Sequence, residues 1–311
     1  YRAEKGQTAA DLGFAAAEKL LNGRQVSREN RGVLITVTST PDYRMPPDAC
    51  VLHKRLELPE DCAAFDIPLV CSGFVYGLSV AASMLTASEK DYALLIAADT
   101  LTKVINPKDR SATMIFGDGG SAVLLKKGKG SGLSFALYTR GADYRDIIIP
   151  AGGFRSENPS RDELTWEDGN IRSLYDFNMS GSAVMGFSIE TIPKTLKEYM
   201  VRRDETADDY DCFAFHQANR MMLNMITDRT GISKDKMPLC LAHYGNTSSA
   251  SIPMALSDKY GDNMATDKKR VLMCGFGVGL SWGVVSAEIS PVDIYPIEKT
   301  DCRYDEGIIE G

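Results

Sequence analysis

The sequence lacks several features that would assign it to a common class of protein. It has no run of about 18 apolar residues, the length needed to cross a bilayer, so no membrane-spanning segment is expected. Its 35 Lys and Arg residues are outnumbered by 42 Asp and Glu residues, and they are dispersed along the chain. Because binding of a phosphate backbone requires a concentrated basic surface, no nucleic-acid partner is expected.

Cysteine pairs and histidines are also scarce. The seven cysteines are odd in number and contain no C-x-x-C pair, which argues against a disulfide framework and against a thiolate zinc site. We therefore expect no bound metal, and free thiols favour a reducing cytoplasm. Only three histidines are present, which restricts the search for a catalytic base.

Short β-branched runs alternate with helical stretches along the chain. Thr8 with Asp11 predicts a capped helix start, and Asn22-Gly23 predicts its end. The predicted strands are 32–37, 65–70, 92–97, 122–125, 212–215, 271–274 and 283–289. The predicted helices are 48–56, 73–87, 179–201 and one that begins at Ala218. This alternation indicates an α/β protein whose mixed sheets are covered by helices.

The clearest break in this pattern is the Lys- and Gly-rich segment 126–132. It divides the chain into an N-terminal half, residues 1–130, and a C-terminal half, residues 131–311. Both halves show a similar order of elements, which suggests a duplicated unit. The Gly-, Pro- and charge-rich segment 151–170 is predicted to be a long loop within the second half.

Cys71 lies between a predicted strand and a predicted apolar helix. Unpaired amides and the helix dipole stabilise a thiolate at such a position, so the pKa of Cys71 is expected to be lowered. A nucleophile would suit this position. A small buried apolar side chain is the alternative role.

His216 follows the apolar run 212–215, where a strand gives way to a helix at the rim of a core. A histidine there can reach a ligand, and a structural role is the alternative. His53, in a predicted helix, and His243, before a turn, are expected to have surface or core roles. Asn246 lies in a turn followed by small residues, where it could bind a ligand or cap a helix.

Glycines follow the strand 271–274, in Gly275-Phe276-Gly277-Val278-Gly279. Such a segment allows main-chain N–H groups to approach a ligand closely, and an ordinary hairpin turn is the alternative. Five segments now stand in order along the chain: Cys71-Ser72-Gly73-Phe74-Val75-Tyr76-Gly77, Ile115-Phe116-Gly117-Asp118-Gly119, His216-Gln217-Ala218-Asn219, Tyr244-Gly245-Asn246-Thr247-Ser248 and Gly275-Phe276-Gly277-Val278-Gly279-Leu280-Ser281-Trp282-Gly283. Together they closely resemble the β-ketoacyl-acyl-carrier-protein synthase III family.

The resemblance implies a thiolase-like, layered αβαβα fold built from two similar halves, assembled as a homodimer. It implies that Cys71 takes an acyl group from acyl-CoA, and that His216 and Asn246 bind a malonyl group on acyl carrier protein as it loses CO₂. By the same resemblance, the backbone amides of Cys71 and Val278 form an oxyanion hole. No cofactor is implied beyond these substrates.

The resemblance also suggests less central positions. Met45 and Phe276 would line acyl pockets, with Met45 closing the pocket of the partner subunit. A carrier protein is acidic, so Arg220, Lys194 and Lys197 are candidates for docking it. The family's N-terminal strand and a Trp- and Arg-bearing segment have no counterpart here, and residues 291–311 extend beyond its usual last strand.

Other functions share these residue types. A relative of the same fold could pass the acyl group to an oxygen, a nitrogen or a small-molecule acceptor, and a non-catalytic paralogue could have the fold alone. A Cys-His-Asn hydrolase of the papain kind is disfavoured, because the local Cys-Gly-Ser-Cys-Trp signature is absent.

Overall fold

The computed structural model describes residues 1–24, 26–128, 132–156 and 158–308 of the chain. Its helices are α1 (Ala9–Arg24), α2 (Asp48–Arg55), α3 (Gly73–Ala87), α4 (Arg110–Thr113), α5 (Gly181–Val201), α6 (Arg220–Thr230), α7 (Leu241–Tyr244) and α8 (Ser251–Tyr260). Its strands are β1 (Arg31–Val37), β2 (Ala63–Ile67), β3 (Tyr92–Asp99), β4 (Gly119–Lys126), β5 (Ser134–Thr139), β6 (Ile147–Ile148), β7 (Leu164–Thr165), β8 (Ile171–Arg172), β9 (Asn178–Met179), β10 (Cys212–Phe215), β11 (Lys269–Gly277) and β12 (Ser281–Ile289).

The two larger sheets are both mixed. The first has the spatial order β2-β1-β3-β4, with β1 parallel to β2 and β3, and β4 antiparallel to β3. The second has the order β10-β11-β12-β5, with β10 and β11 parallel and the other neighbours antiparallel. All seven residues of β1 are buried, as expected of a central strand covered on both faces.

Helices separate and cover the two sheets. α1 contacts β3 and β4, and α2 contacts β1 and β2, so this pair covers one face of the first sheet. α3 contacts β1 and β3 of the first sheet and β11 and β12 of the second, and α8 contacts β4, β10 and β11. α5 packs on β11 and β12 and contacts α6. The order is helix, sheet, helix, sheet, helix, which confirms the predicted layered α/β fold.

Several predicted elements are confirmed at their ends. α3 spans 73–87 and β10 spans 212–215, as the apolar pattern predicts. At the start of α1, the Thr8 hydroxyl accepts a hydrogen bond from the Asp11 amide at 3.3 Å, and the Thr8 amide donates to the Asp11 carboxylate at 3.0 Å. This reciprocal pair is the predicted cap.

Several predicted boundaries are shifted by one to three residues; α1, for example, continues past the predicted stop at Asn22-Gly23 to Arg24. Two of these shifts have a clear physical cause. The strand predicted at 65–70 is found at Ala63–Ile67, because Pro68 has no N–H to continue the ladder. The helix predicted to begin at Ala218 begins at Arg220, because the side chain of Asn219 accepts a hydrogen bond from the Met222 amide at 2.8 Å and caps it.

The predicted long loop contains the strand β7, which pairs with β8 directly after the predicted loop to form a small hairpin. Arg172 of β8 is buried and holds the loop to the body of the protein. Its Nε donates to the Asp109 carboxylate at 2.5 Å, and its Nη2 donates to Asp168 at 2.8 Å. The proposed division between residues 130 and 131 falls outside the described residues.

The segment after β12 runs along α1, a placement the sequence pattern does not predict. Lys19 bonds the Pro296 carbonyl at 2.9 Å, and Gln7 donates to the carbonyls of Thr300 and Cys302 at 3.1 Å each. These contacts fix the segment against the outer helical layer. No helix within the described ranges is long and apolar enough to cross a membrane.

Candidate active site

Cys71 lies in the turn between β2 and α3, two residues before the helix begins. The Gly73 amide donates to the Val70 carbonyl at 3.0 Å, which tightens the turn. The hydroxyls of Ser72 and Ser281 are 2.6 Å apart and connect this turn to β12 of the second sheet. The thiol is therefore held where the two sheets meet, and Cys71 is 7% exposed.

The end of β11 approaches Cys71 so closely that only glycine fits. A Cβ atom at Gly277 would lie 2.7 Å from the Cβ and 3.1 Å from the Sγ of Cys71. A Cβ atom at Gly275 would lie 3.0 Å from the Cys71 carbonyl oxygen. Ordinary carbon contacts are about 3.5–4.0 Å. The glycine-rich segment thus provides the close approach that its sequence predicts.

His216 directly follows β10 and remains attached to β11. Its amide donates to the Cys274 carbonyl at 2.8 Å, and its ring meets that of Phe276 edge to face, with centroids 5.4 Å apart. Nδ1 of His216 lies 2.8 Å from the hydroxyl of Ser251. With 2% of the residue exposed, the ring is held in one orientation.

Asn246 is fixed by a short parallel bridge with Phe116. Its amide donates to the Ile115 carbonyl at 2.8 Å, and its carbonyl accepts from the Gly117 amide at 2.9 Å. The side-chain Oδ1 accepts from the Ser248 amide at 2.9 Å, which orients Nδ2 as the free donor end. Among the described residues, Nδ2 has only a long contact, 3.5 Å, to the Ala218 carbonyl.

A cavity of about 40 Å³ brings these three side chains together, since Cys71, His216 and Asn246 all form part of its wall. Phe276 and Val278 also line it. Much of the remaining wall is apolar and includes Phe116, Phe177, Val184 and Met222.

Two backbone amides beside the thiol are available as donors. Among the described residues, no backbone carbonyl accepts a hydrogen bond from the Cys71 amide or the Val278 amide. The Val278 carbonyl accepts from the Ser281 hydroxyl at 2.6 Å, which fixes the direction of the adjoining chain. This arrangement is compatible with a pair of donors to an oxyanion.

Burial dominates the electrostatics of the site. It raises the pKa of the Cys71 thiol to about 12, and the charge of the nearby Asp99 adds to the rise. Burial lowers the pKa of His216 to about 3, so its imidazole is neutral at neutral pH. The expected lowering of the Cys71 pKa is therefore wrong, because the same turn that places the thiol near a helix end also removes it from water.

The other predicted site residues lie away from the cavity within this chain. Met45 is 79% exposed in the loop before α2. Lys194 and Lys197 are exposed on α5, where both line a surface groove. Arg220 is exposed at the first position of α6, next to Asn219, which lines the cavity.

The sequence patterns do not single out the polar residues behind the cavity. Asp99, at the end of β3, is fully buried and accepts from the Ser249 hydroxyl at 2.6 Å and from the Ser39 amide at 2.9 Å. Burial raises the pKa of Asp99. An acidic residue at the end of a buried strand was the available signal. Ser251 belongs to the small-residue run after Asn246, where nothing local reveals its partner.

No group of His, Cys, Asp or Glu side chains in the described part of the chain has the arrangement of a metal site. All seven cysteines are free thiols, including Cys71.

The chain matches known proteins along most of its length. Residues 65–141 match the family model for 3-oxoacyl-[acyl-carrier-protein (ACP)] synthase III, and residues 200–289 match the model for its C-terminal part. The β-ketoacyl-[acyl-carrier-protein] synthase III of Natranaerobius thermophilus is 33% identical over 287 residues, which are 90% of this chain and 84% of that protein. The β-ketoacyl-[acyl-carrier-protein] synthase III 3 of Streptomyces coelicolor is 32% identical over 297 residues, which are 94% of this chain and 86% of that protein.

The solved structures agree. The crystal structure of a 3-oxoacyl-(acyl-carrier protein) synthase from Burkholderia xenovorans has a TM-score of 0.88 and 33% identity, covering 95% of this chain and 84% of that one. The fold and these relatives together define an acyltransferase of the thiolase-fold condensing class. The chain belongs to the β-ketoacyl-acyl-carrier-protein synthase III family, which confirms the resemblance seen in its sequence.

Proposed function

We propose that this enzyme transfers an acyl group from acyl-CoA to Cys71 and then condenses it with malonyl-acyl carrier protein. The observation that carries the proposal is the meeting of Cys71, His216 and Asn246 in the wall of one buried cavity. The three residues come from distant segments of the chain, and hydrogen bonds or steric contacts hold each of them in place.

The first step is a thioester exchange. The Cys71 sulfur attacks the acyl carbonyl carbon, and the oxygen that becomes negative receives hydrogen bonds from the Cys71 and Val278 amides. Coenzyme A then leaves as a thiol, carrying the proton that Cys71 has lost. Because the pKa of Cys71 is about 12, little thiolate is present beforehand, so deprotonation accompanies attack on the bound substrate.

The second step is a decarboxylation. His216 and the Nδ2 of Asn246 donate hydrogen bonds to the malonyl thioester oxygen. Loss of CO₂ leaves an electron pair that is shared with this oxygen as an enolate, and the two donors stabilise the new charge. A neutral imidazole suits this role because its single N–H can donate a hydrogen bond to the oxygen while the hydrogen stays on the ring.

The enolate carbon then attacks the acyl carbonyl carbon on Cys71. The bond to sulfur breaks, the Cys71 thiolate takes up one proton from solvent, and a 3-oxoacyl carrier protein is formed. The largely apolar wall limits competing hydrolysis of the acyl-enzyme.

We further propose the partners of this reaction. Lys194, Lys197 and Arg220 are exposed cations that would complement an acidic carrier protein. A homodimer would allow the exposed Met45 to close the acyl pocket of a partner subunit. Neither step needs an external oxidant or reductant, so we propose that no resident cofactor takes part, and the free nucleophilic thiol suits a cytoplasmic location.

We also propose that the chain consists of two similar halves. Residues 1–130 would supply the nucleophile, and residues 131–311 would supply the His and Asn donors as a second, similar half. All four strands of the first sheet precede this division, and all four strands of the second sheet follow it.

Intact-protein mass spectrometry with a panel of acyl-CoAs tests the first step. Wild type and Cys71→Ala are compared with Cys62→Ala, a control that removes another buried thiol in the outer layer. An acyl adduct is expected on wild type and on the control but not on Cys71→Ala. An equal adduct on Cys71→Ala would show that the nucleophile is assigned wrongly.

Addition of malonyl carrier protein tests the second step. The adduct should disappear with release of CO₂ and formation of a 3-oxoacyl carrier protein. Transfer of the acyl group to another acceptor without CO₂ release would support the non-condensing alternative instead.

A further inference from the structure

The position of one hydrogen on His216 decides whether the ring can serve the proposed reaction. A neutral imidazole carries a single N–H, on either Nδ1 or Nε2. Nδ1 is occupied by its 2.8 Å contact with Ser251, which leaves Nε2 as the nitrogen available to a ligand. His216 can donate to a thioester oxygen only if Nε2 carries the hydrogen.

The hydrogen bonds of Ser251 determine that tautomer. Ser251 is the first residue of α8 and is fully buried. Its Oγ accepts a hydrogen bond from the Gln217 amide at 3.3 Å, and that amide can only be a donor. A hydroxyl has one hydrogen besides its lone pairs, and a buried donor left without an acceptor is costly.

Nδ1 of His216 is the acceptor available for this hydrogen. Within the described residues, no hydrogen bond takes the Ser251 hydroxyl hydrogen to any other atom. Donation from the hydroxyl to Nδ1 requires Nδ1 to be unprotonated, so the single ring hydrogen lies on Nε2.

Gln217 holds this arrangement rigidly. Its side-chain Nε2 donates to the Phe215 carbonyl at 2.9 Å and to the Pro238 carbonyl at 3.3 Å, while its Oε1 accepts from the Cys240 amide at 3.1 Å. The residue is fully buried. The amide that points at Ser251 is therefore fixed on both sides.

The backbone of Ser248 is the competing partner for the ring, and it would favour a protonated nitrogen beside it. No hydrogen bond of normal geometry joins it to the imidazole in the described part of the chain, whereas the Ser251 contact has a full-strength distance of 2.8 Å. The Ser251 contact, at 2.8 Å, therefore decides the tautomer.

We propose that Ser251 is a positioning residue, whose hydroxyl donates to Nδ1 of His216 and holds the ring in the Nε2–H tautomer. The inference rests on the proposed function of His216 as a donor to the malonyl thioester. Ser251, in the run of small residues after Asn246, would thus fix the hydrogen on Nε2 of His216 before substrate binds.

Nitrogen-15 NMR of the wild-type protein with labelled histidine tests the tautomer directly. The chain has only three histidines, so His53→Asn and His243→Asn assign the His216 signals by subtraction. The expected spectrum shows a protonated Nε2 and an unprotonated Nδ1 for His216. The reverse assignment overturns the proposal, and this readout does not depend on any activity.

Kinetics of Ser251→Ala test the consequence. Acylation of Cys71 should stay within about 3-fold of wild type, while decarboxylation should fall about 10- to 100-fold, because a donor in the wrong tautomer is lost to the reaction. Ser251→Thr, which retains the hydroxyl, should recover most of the loss, and Ser257→Ala on the same helix is the matched control.

A folded Ser251→Ala enzyme with unchanged decarboxylation would overturn the proposal, with the melting temperature establishing that it is folded. If the variant does not fold, the wild-type NMR result decides alone. Absence of acylation in wild type would instead defeat the proposed function, while leaving the tautomer measurement valid.

Discussion

Replacing Gly277 with alanine should strongly impair acylation of Cys71. The added Cβ would lie 2.7 Å from the Cys71 Cβ, where about 3.5–4.0 Å is needed, so one backbone must move by about 1 Å. Neither side is free to move: Cys71 lies in the buried turn before α3, and Gly277 is paired with Ser281 of β12. Displacing a nucleophile by about 1 Å can reduce its rate about 100-fold.

The strain should also appear in stability. Adding a methyl group to a filled core typically costs about 1–3 kcal/mol of the free energy of unfolding. Gly277 does not have a left-handed backbone conformation, so the effect is one of space and not of backbone angle. The assay pairs the acylation rate, followed by intact mass, with unfolding in urea.

Gly186→Ala provides the matched control. A Cβ at Gly186, within α5, meets no atom within 4 Å, and alanine favours helix, so acylation should be unchanged and stability equal or slightly higher. If Gly277→Ala is acylated at the wild-type rate and unfolds at the wild-type urea concentration, the inferred contact between β11 and the nucleophile is wrong.

Three further predictions concern charge. Burial and the neighbouring acidic groups raise the pKa of Asp48 to about 7, above its unfolded value, so the free energy of unfolding should fall as pH rises from about 4 to 7. Asp48→Asn should remove this fall and add up to about 4 kcal/mol to the free energy of unfolding at pH 8. Equal pH profiles of the two proteins in urea unfolding would contradict the prediction. Because the pKa of Cys71 is about 12, its alkylation by iodoacetamide should rise about tenfold per pH unit from 7 to 9, and a plateau near pH 7 would indicate a preformed thiolate. Arg172→Ala should lower the free energy of unfolding by about 3–5 kcal/mol, since it leaves the buried Asp109 carboxylate without its cation, and a loss below about 1 kcal/mol would mean that water replaces the pair.

The local pattern of apolar residues and glycines was sufficient to predict many of the helices and strands. The apolar face and glycine start of α3 and the short run of β10 are set by residues adjacent in sequence, so their bounds could be read directly. The end of β2 was predicted three residues too late, because an apolar run continues through Pro68 although the ladder cannot. The course of residues 291–308 along α1 depends on long-range contacts that have no local pattern.

The candidate site divides in the same way. Cys71, His216 and Asn246 could be named from their motifs, but their meeting in one cavity depends on how the two sheets pack. The pKa of Cys71 was predicted in the wrong direction, because a helix end is visible in the sequence while burial is not. Ser251 was missed because its partner His216 lies 35 residues away in the chain.

The central claim is that one cavity divides the reaction between a nucleophile and two hydrogen-bond donors. The most direct test prepares the acyl-enzyme on wild type, His216→Ala and Asn246→Ala, adds malonyl carrier protein, and follows CO₂ release and the acyl mass on Cys71. The account predicts that all three proteins become acylated, that wild type then loses its acyl group with CO₂ release, and that each variant does so about 100- to 1,000-fold more slowly. Condensation at the wild-type rate by either variant would contradict it.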